Sequence, residues 1–243
     1  MTRLPAVHEP PPPRVVIERV EPELDSGRFP VKRIIGDVLV VEASVFADGH
    51  DELSCRLLYR SGDDPDWREV GMTALGNDRW RGEFRVTALG RYRYTVEGWV
   101  DEIRTWQRAI TAKIAAGRDV RVEVLVGVAL VDAAASRATG DDATKLRAWA
   151  RDLGGATEAA RRDRLALGDD LIALARRYPD RTSTCRYDRE LGVVVDRERA
   201  RFSTWYEVFP RSCAPEPGQH GTLLDCAAWL PAVAEIGFDV VYL

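Results

Sequence analysis

The sequence predicts a multidomain β + α protein, in which an antiparallel β-sandwich carries a helical insertion and is followed by one βαβ unit. Three observations favour this fold class. Short runs with period-two hydrophobicity fill residues 14–118, a helical period of about 3.6 residues follows, and a strand, a helix and a strand occupy residues 203–243.

The composition is typical of a soluble globular protein with more than one domain. The chain has 243 residues, of which 45% are apolar and 30% charged, and its formal net charge is −4. Arginines alternate with acidic residues, as in Arg197-Glu198-Arg199, so nucleic acid is not an expected partner. No apolar run approaches the ~20 residues of a membrane span, and the start at Met1 lacks the apolar stretch of a signal peptide. We therefore expect a cytoplasmic protein with no membrane partner.

The first element is a proline-rich arm over residues 1–13. It contains the consecutive prolines Pro10 to Pro13, which exclude helix and favour an extended backbone. An arm that lies along the following domain is the favoured interpretation. The alternative is a proline-rich ligand for another protein.

The β-sandwich is predicted over residues 14–118 and 185–202. The segment "DVLVVEASVFADG" places Leu39, Val41, Ala43 and Val45 on one face, and it closes at turn residues. Further strands are predicted for "CRLLYRSG", "DWREV", "RWRGEFRV", "RYRYTVEGWV" and "RTWQRAI". About seven short strands at close spacing indicate an immunoglobulin-like antiparallel sandwich.

Four of the seven tryptophans fall in this region: Trp67, Trp80, Trp99 and Trp106. Exposed aromatic rings on a sandwich can stack on sugars, whereas buried rings fill its core. The alternation explains most of these positions without a ligand, so core or rim packing is favoured. The alternative is a noncatalytic carbohydrate-binding platform.

A helical insertion of three or four helices is predicted over residues 119–184. Its first clear apolar stripe, at i, i+3, i+4 and i+7, consists of Leu146, Trp149, Ala150 and Leu153. Asp141 or Asp142 is expected to cap this helix, and Gly154-Gly155 to end it. The second stripe consists of Leu167, Leu171, Leu174, Ala175 and Tyr178. These stripes could pack on each other, on the sandwich or on another chain.

The strand pattern returns at Val193–Val195, which suggests that the helices interrupt the sandwich. A second strand is predicted over residues 204–209, before Pro210. A helix over 223–236 and a strand over 240–243 then complete a βαβ unit. Its two strands should be parallel, with a right-handed crossover.

The quoted segments carry a resemblance to a known family. "ARFSTWYEVFPRS" and "HGTLLDCAAWLPAVAEIGFDVVYL" resemble the opening of the catalytic barrel in the α-amylase superfamily. "RFPVKRIIGDVLVVEASVFADGHD", "YTVEGWVDEIRTW" and "VDRERARFSTWYEVFPRS" resemble the maltose-1-phosphate maltosyltransferases of bacterial α-glucan synthesis. The resemblance implies that residues 203–243 begin a (β/α)8 barrel, of which this chain contains a truncated part.

The resemblance also implies an activity. Family members transfer maltosyl units from maltose 1-phosphate to α-1,4-glucan with retention, a reaction that needs two carboxyl groups about 5 Å apart, and they form homodimers through the amino-terminal part. The family's catalytic residues lie on later barrel strands, beyond Leu243. We therefore assign no catalytic, cofactor-binding or metal residue, leave substrate-binding residues open, and expect this chain alone to be inactive and to support the barrel and dimerisation.

The carboxylates that are present are expected to have other roles. The adjacent pairs Asp63-Asp64, Asp141-Asp142 and Asp169-Asp170 are interpreted as solvated or helix-capping groups, because neighbouring residues on a helix point about 100° apart. Glu207, at the site end of the first barrel strand, is expected to pair with Arg211 rather than to bind sugar. His220 beside Gly221 is expected in a turn or cap, with a place on the cleft rim as the alternative.

The cysteines are Cys55, Cys185, Cys213 and Cys226, far apart and without a CxxC pair. Neither a disulfide framework nor a zinc site is predicted, and buried thiols are the favoured interpretation. Two functional alternatives also stay open: a noncatalytic α-glucan-binding module, and the amino-terminal part of a branching or debranching enzyme.

Overall fold

The computed structural model describes residues 14–62 and 64–243, so the predicted arm over residues 1–13 lies outside the described part. The strands are β1 (Val15–Glu21), β2 (Val31–Ile34), β3 (Val38–Ala47), β4 (Leu53–Ser61), β5 (Arg68–Gly71), β6 (Thr73–Gly76), β7 (Arg79–Arg85), β8 (Gly90–Val100), β9 (Cys185–Arg186), β10 (Leu191–Asp196), β11 (Trp205–Glu207) and β12 (Val240–Tyr242). The α-helices are α1 (Glu102–Ala115), α2 (Arg121–Arg137), α3 (Gly140–Gly154), α4 (Ala159–Ala166), α5 (Asp169–Arg176) and α6 (Leu223–Ile236).

The first ten strands form two sheets that share one hydrophobic core. One sheet has the order β1-β3-β7-β6 and the other β2-β10-β8-β4-β5, with β9 paired to β8. Leu39, Val41, Ala43 and Val45 of β3 are buried, as their alternation predicts, and face residues of β8 such as Val96. Pairing within the sheets is antiparallel except between β2 and β10, which run parallel.

Along the chain, the helices α1 to α5 lie between strands β8 and β9, which belong to the same sheet. β8 precedes them, β9 and β10 follow them, and both of these later strands pair with β8. The chain therefore leaves the sheet at the end of β8, builds a helical core and returns to the same strand.

The strand predicted for "RTWQRAI" is wrong, because this segment belongs to helix α1. Asp101 caps the helix, its side chain accepting a hydrogen bond from the Arg104 amide at 3.0 Å. Ile103, Trp106 and Ile110 follow on one helical face and are buried. The helical region thus begins at Glu102 rather than at residue 119, and Trp106 packs in the helical core instead of the sheets.

The predicted apolar stripe of α3 is confirmed. Leu146, Trp149, Ala150 and Leu153 are all buried in the helical core. The predicted aspartate cap is wrong, because Asp141 and Asp142 lie inside the first turn, whereas the predicted end at Gly155 is confirmed.

The second predicted stripe is only partly buried. Ala175 is in the core, whereas Leu167 is exposed and Leu171, Leu174 and Tyr178 are half-buried. Ile172, which the predicted stripe does not contain, is buried in α5. Helix α5 is therefore rotated relative to the expected face.

Asp101 also joins the helices to the sheet. Its carboxylate accepts hydrogen bonds from Ser54 Oγ at 2.6 Å, on β4, and from Arg176 Nε at 3.1 Å, on α5. One buried carboxyl group thus links a strand and two helices, and these partners supply the hydrogen bonds that a buried polar group requires.

The βαβ unit is present as the sequence predicts. β11 and β12 are parallel, with Trp205 opposite Val240 and Glu207 opposite Tyr242. Helix α6 begins at a capping box formed by Thr222 and Asp225. Among residues 14–62 and 64–243, no helix combines the length and apolar character needed to cross a bilayer.

Candidate functional site

The carboxyl end of β11 is the place where a barrel-type site would be built, and Glu207 is located there. β11 and β12 end side by side, and Glu207 is exposed. The predicted ion pair between Glu207 and Arg211 is not formed in the described part of the chain. The backbone carbonyl of Arg211 instead accepts a hydrogen bond from the Gly221 amide at 3.0 Å.

The segment after β11 folds into a closed loop. A 3₁₀ turn over Pro210–Cys213 is followed by an exposed stretch that returns at Gly221 to begin α6. His220 is exposed in this loop, and the helix cap is formed by Thr222. His220 therefore lies in the loop just before the helix but in neither a turn nor the cap, so the prediction of a turn or cap residue is wrong.

The βαβ unit exposes a large apolar surface. Within residues 203–243, all of which are described, the buried residues are Cys213, Cys226 and Val233. The exposed large apolar side chains are Trp205, Phe209, Leu223, Leu224, Trp229, Leu230, Ile236, Tyr242 and Leu243. Apolar patches of this kind are unusual on monomeric soluble proteins and mark surfaces that bind other protein segments.

Two of the three predicted carboxylate pairs lie in the first turns of helices, where they have structural roles. Asp142 accepts a hydrogen bond from Tyr178 Oη at 2.7 Å and pairs with Arg177 at 3.1 Å. The hydrogen bond to Asp142 raises the pKa of Tyr178 above its ordinary value. Asp169 and Asp170 occupy the first turn of α5, where negative charge is favourable. Asp63 lies outside the described residues.

Three of the four predicted tryptophans are unavailable to a sugar. Trp80 and Trp99 are 8% exposed and Trp106 is 4% exposed, so their assignment to core packing is confirmed. Trp67 is half-buried, with the guanidinium carbons of Arg60 and Arg186 at 4.6 and 4.7 Å from its ring centroid. A carbohydrate platform on these rings is therefore not favoured.

The outer face of the six-stranded sheet carries a network of ion pairs. Arg56 pairs with both Glu97 and Glu69, and Arg181 pairs with Glu69 at 3.1 Å. The hydrogen bond from Arg181, together with the nearby charge of Arg56, holds the pKa of Glu69 below its ordinary value. These ion pairs form a polar cover over the sheet.

A groove with a volume of about 630 Å³ lies where the βαβ unit meets the sheets. It is lined in part by Lys32, Phe202 and Trp205, and also by Arg199 and Asp239, which form a 3.1 Å ion pair. This groove is at the amino-terminal ends of β11 and β12, opposite to Glu207. Barrel enzymes build their sites at the carboxyl ends of the strands, so this groove is not where a barrel-type site would lie.

No group of three or more His, Cys, Asp or Glu side chains in the described ranges is placed to hold a metal ion. Cys55, Cys213 and Cys226 are buried and Cys185 is half-buried. The sequence does not predict that Cys213 and Cys226 lie close together, because they are far apart along the chain and belong to no known cysteine motif.

Comparison with known proteins gives a consistent result. Residues 13–197 match the family model described as "Alpha-1,4-glucan:maltose-1-phosphate maltosyltransferase, domain N/S". Three relatives with the name alpha-1,4-glucan:maltose-1-phosphate maltosyltransferase are similar to the chain. The Chlorobaculum tepidum protein is 46% identical over 95% of the chain and 34% of its own length. The Myxococcus xanthus protein is 46% identical over 94% of the chain and 36% of its own length. The Rhodospirillum rubrum protein is 41% identical over 94% of the chain and 35% of its own length. The chain thus spans about a third of the length of these relatives.

Proposed function

This chain belongs to the alpha-1,4-glucan:maltose-1-phosphate maltosyltransferase family, and we propose that it is the amino-terminal part of such an enzyme. The whole enzyme would move maltosyl units from maltose 1-phosphate to the non-reducing end of α-1,4-glucan, with retention, in the cytoplasm. In this proposal the two sheets are an immunoglobulin-like sandwich and β11-α6-β12 is the first unit of a (β/α)8 barrel.

The parallel β11-α6-β12 unit is the observation that supports the barrel most strongly. A pair of parallel strands is not a stable endpoint, because parallel sheets are normally covered on both faces. The exposed Phe209, Trp229 and Ile236 require further polypeptide to cover them. The additional length of the relatives supplies such polypeptide.

The chain's own contribution to the reaction would be to support the site. Retaining transfer needs a carboxylate nucleophile and an acid about 5 Å apart, on opposite sides of the bond that breaks. No pair of carboxylates at the carboxyl ends of β11 and β12 meets this requirement among the described residues, since Glu207 is opposite Tyr242. The 243-residue chain should therefore hold no catalytic pair and act by positioning the first two barrel strands.

Phosphate release from maltose 1-phosphate in the presence of maltooligosaccharide tests the inactivity of this chain. We expect no release above the blank for the 243-residue chain. A matched preparation of a full-length relative is the positive control. Measurable turnover by the 243-residue chain that is absent from a Glu207→Gln variant would show that the chain contains a catalytic group and that the proposal is wrong.

Helix α2 offers a surface for the homodimer contact. Val122, Leu125 and Val126 are exposed on one face of α2, with 69% of Leu125 accessible, although another face of the same helix packs in the helical core. A helix that is apolar on both sides is normally covered on both. We assign its exposed face to a second copy of the chain.

Sedimentation equilibrium of the chain tests this contact. The wild-type chain should form a dimer, and Leu125→Glu should shift it to monomer, because a charge in an apolar interface is costly. Leu75→Glu is the matched control, since Leu75 is also exposed but lies on the edge strand β6. Equal association of all three proteins would exclude α2 as the contact.

A further inference from the structure

Two cysteines lie together in the loop between β11 and α6. Cys213, at the end of the 3₁₀ turn, is 2% exposed and Cys226, in the first turns of α6, is 3% exposed. They lie close enough for the Cys226 thiol to contribute to the raised pKa of Cys213. They are two of the three buried residues of the βαβ unit, so its small interior is built largely around this pair.

Gly221 accounts for the closeness of the two cysteines. A Cβ atom at this position would be 2.5 Å from the Ala214 amide nitrogen and 2.8 Å from the Cys213 carbonyl carbon. The segment that leads into α6 therefore passes directly over the turn that holds Cys213. Any larger residue would separate the start of α6 from that turn.

We propose that Cys213 and Cys226 form a dithiol that oxidises to an intramolecular disulfide and so closes the loop from residue 213 to residue 226. The oxidant is a low-molecular-weight disulfide. One protein thiolate attacks a sulfur of the oxidant and releases one small thiol, and the second cysteine then displaces the other small thiol from the mixed disulfide. The two protein sulfurs lose two electrons and two protons, and the oxidant becomes two thiols.

The surroundings make this oxidation slow and conditional. Burial, with the neighbouring Cys226 thiol, raises the pKa of the Cys213 thiol above its ordinary value. The Cys213 Sγ also contacts the Phe209 carbonyl oxygen at 3.7 Å. Because the reactive form is the thiolate and both thiols are buried, the reaction requires the exposed part of the loop, residues 215–220, to open and admit the oxidant.

Cys55 and Cys185 form an internal contrast. They lie on β4 and β9, and each pairs with Gly98 of the strand between them. Two strand spacings separate their Cα atoms by about 9.5 Å, beyond the roughly 7 Å that a disulfide can bridge. Cys55 and Cys185 therefore cannot be linked without moving a strand.

The consequence for the whole enzyme rests on the proposed function. If β11 is a barrel strand, the loop after it lies at the catalytic edge of the barrel. A disulfide across this loop would then restrict its motion and make that edge sensitive to redox conditions. The existence of the disulfide does not depend on this assignment.

Mass spectrometry of the oxidised chain tests the proposal. The reduced 243-residue chain is incubated with glutathione disulfide, its remaining thiols are blocked with N-ethylmaleimide, and its peptides are mapped. We expect peptides containing Cys213 and Cys226 to be linked with the loss of two hydrogen atoms, and Cys55 and Cys185 to be blocked. Dithiothreitol should reverse the link, and amide exchange in the loop should be about tenfold slower in the oxidised form.

Two variants test the geometry. Gly221→Ala should lower the yield of the link at least about threefold, because its Cβ forces the turn and the helix apart. Gln219→Ala, in the exposed part of the same loop, should leave the yield unchanged. Blocked but unlinked Cys213 and Cys226 in the wild-type chain, or a link between either of them and Cys55 or Cys185, would overturn the proposal whatever the variants do. Because the link is detected by mass, its failure is distinguishable from failure of the proposed enzymatic function.

Discussion

Gly127→Ala should destabilise the helical core, because this glycine lies beneath the ring of Trp106. A Cβ atom on Gly127 would be 2.5 Å from Trp106 Cε2 and 2.8 Å from Nε1, and closer still to Cζ2. Carbon atoms in ordinary contact are about 3.5 to 4.0 Å apart. The indole would therefore have to move by about 1 Å.

The indole has little space in which to move. Trp106 is 4% exposed, and its Nε1 donates a 2.7 Å hydrogen bond to the Glu123 carbonyl of α2. Trp149 packs against it edge-on, with ring centroids 6.5 Å apart. Overpacking of this kind costs about 1–3 kcal/mol, and the weakened hydrogen bond adds about 1 kcal/mol. The higher helix propensity of alanine offsets about 1 kcal/mol of this cost. The expected net decrease in the free energy of unfolding is therefore ~2 kcal/mol.

Hydrogen exchange resolved by mass spectrometry measures this loss in α1 and α2 directly. A change of ~2 kcal/mol corresponds to about 30-fold faster exchange of the amides that open with the helical core. Gly154→Ala is the matched control, because its Cβ would be 3.4 Å from Val128 Cγ2, an ordinary contact, and no loss is expected. In a Trp106→Ala background the cost of Gly127→Ala should disappear. Unchanged exchange in Gly127→Ala, or the same cost with and without the indole, would refute the steric explanation.

Three further outcomes are expected. Asp101→Ala should lower the free energy of unfolding in urea by about 1–3 kcal/mol, because it removes the cap of α1 and leaves Arg176 without its buried partner; an unchanged midpoint would contradict that linking role. The ion pair of Glu69 with Arg181 lowers the folded-state pKa of the carboxyl, so its contribution is present above the ordinary value of 4.5 and is lost as the pH falls through the lower folded value. Glu69→Gln should remove this part of the acid sensitivity, and identical acid unfolding profiles of wild type and variant would count against it. In the 243-residue chain, the backbone amides of residues 203–243 should exchange faster than those of the two sheets, since few side chains in this segment are buried. Equal protection in a monomer would contradict this, because it would mean that another part of the same chain covers the apolar surface.

Local pattern was sufficient wherever an element could be recognised from its own residues. The alternation in β3 identified the buried face, the spacing in α3 identified its stripe, and the order of strand, helix and strand identified the parallel pair of β11 and β12. Family membership was also readable, because the quoted segments resemble the maltosyltransferases and the comparisons agree. In each case a short segment contains the whole signal, since side-chain direction follows directly from the backbone period.

Tertiary contacts decided the features that depend on a partner distant in sequence. The segment "RTWQRAI" fits period two as well as a helix, and the Asp101 cap with the core around Trp149 makes it helical. Glu207 does not pair with Arg211, whose backbone carbonyl accepts a hydrogen bond from the distant Gly221 amide. Cys213 and Cys226 meet because a glycine allows the chain to pass over its own turn. The spacing of apolar residues in the sequence specifies which side of a helix or strand is apolar. The free energy of burial depends on which other residues pack against that side, and these come together only in the folded chain.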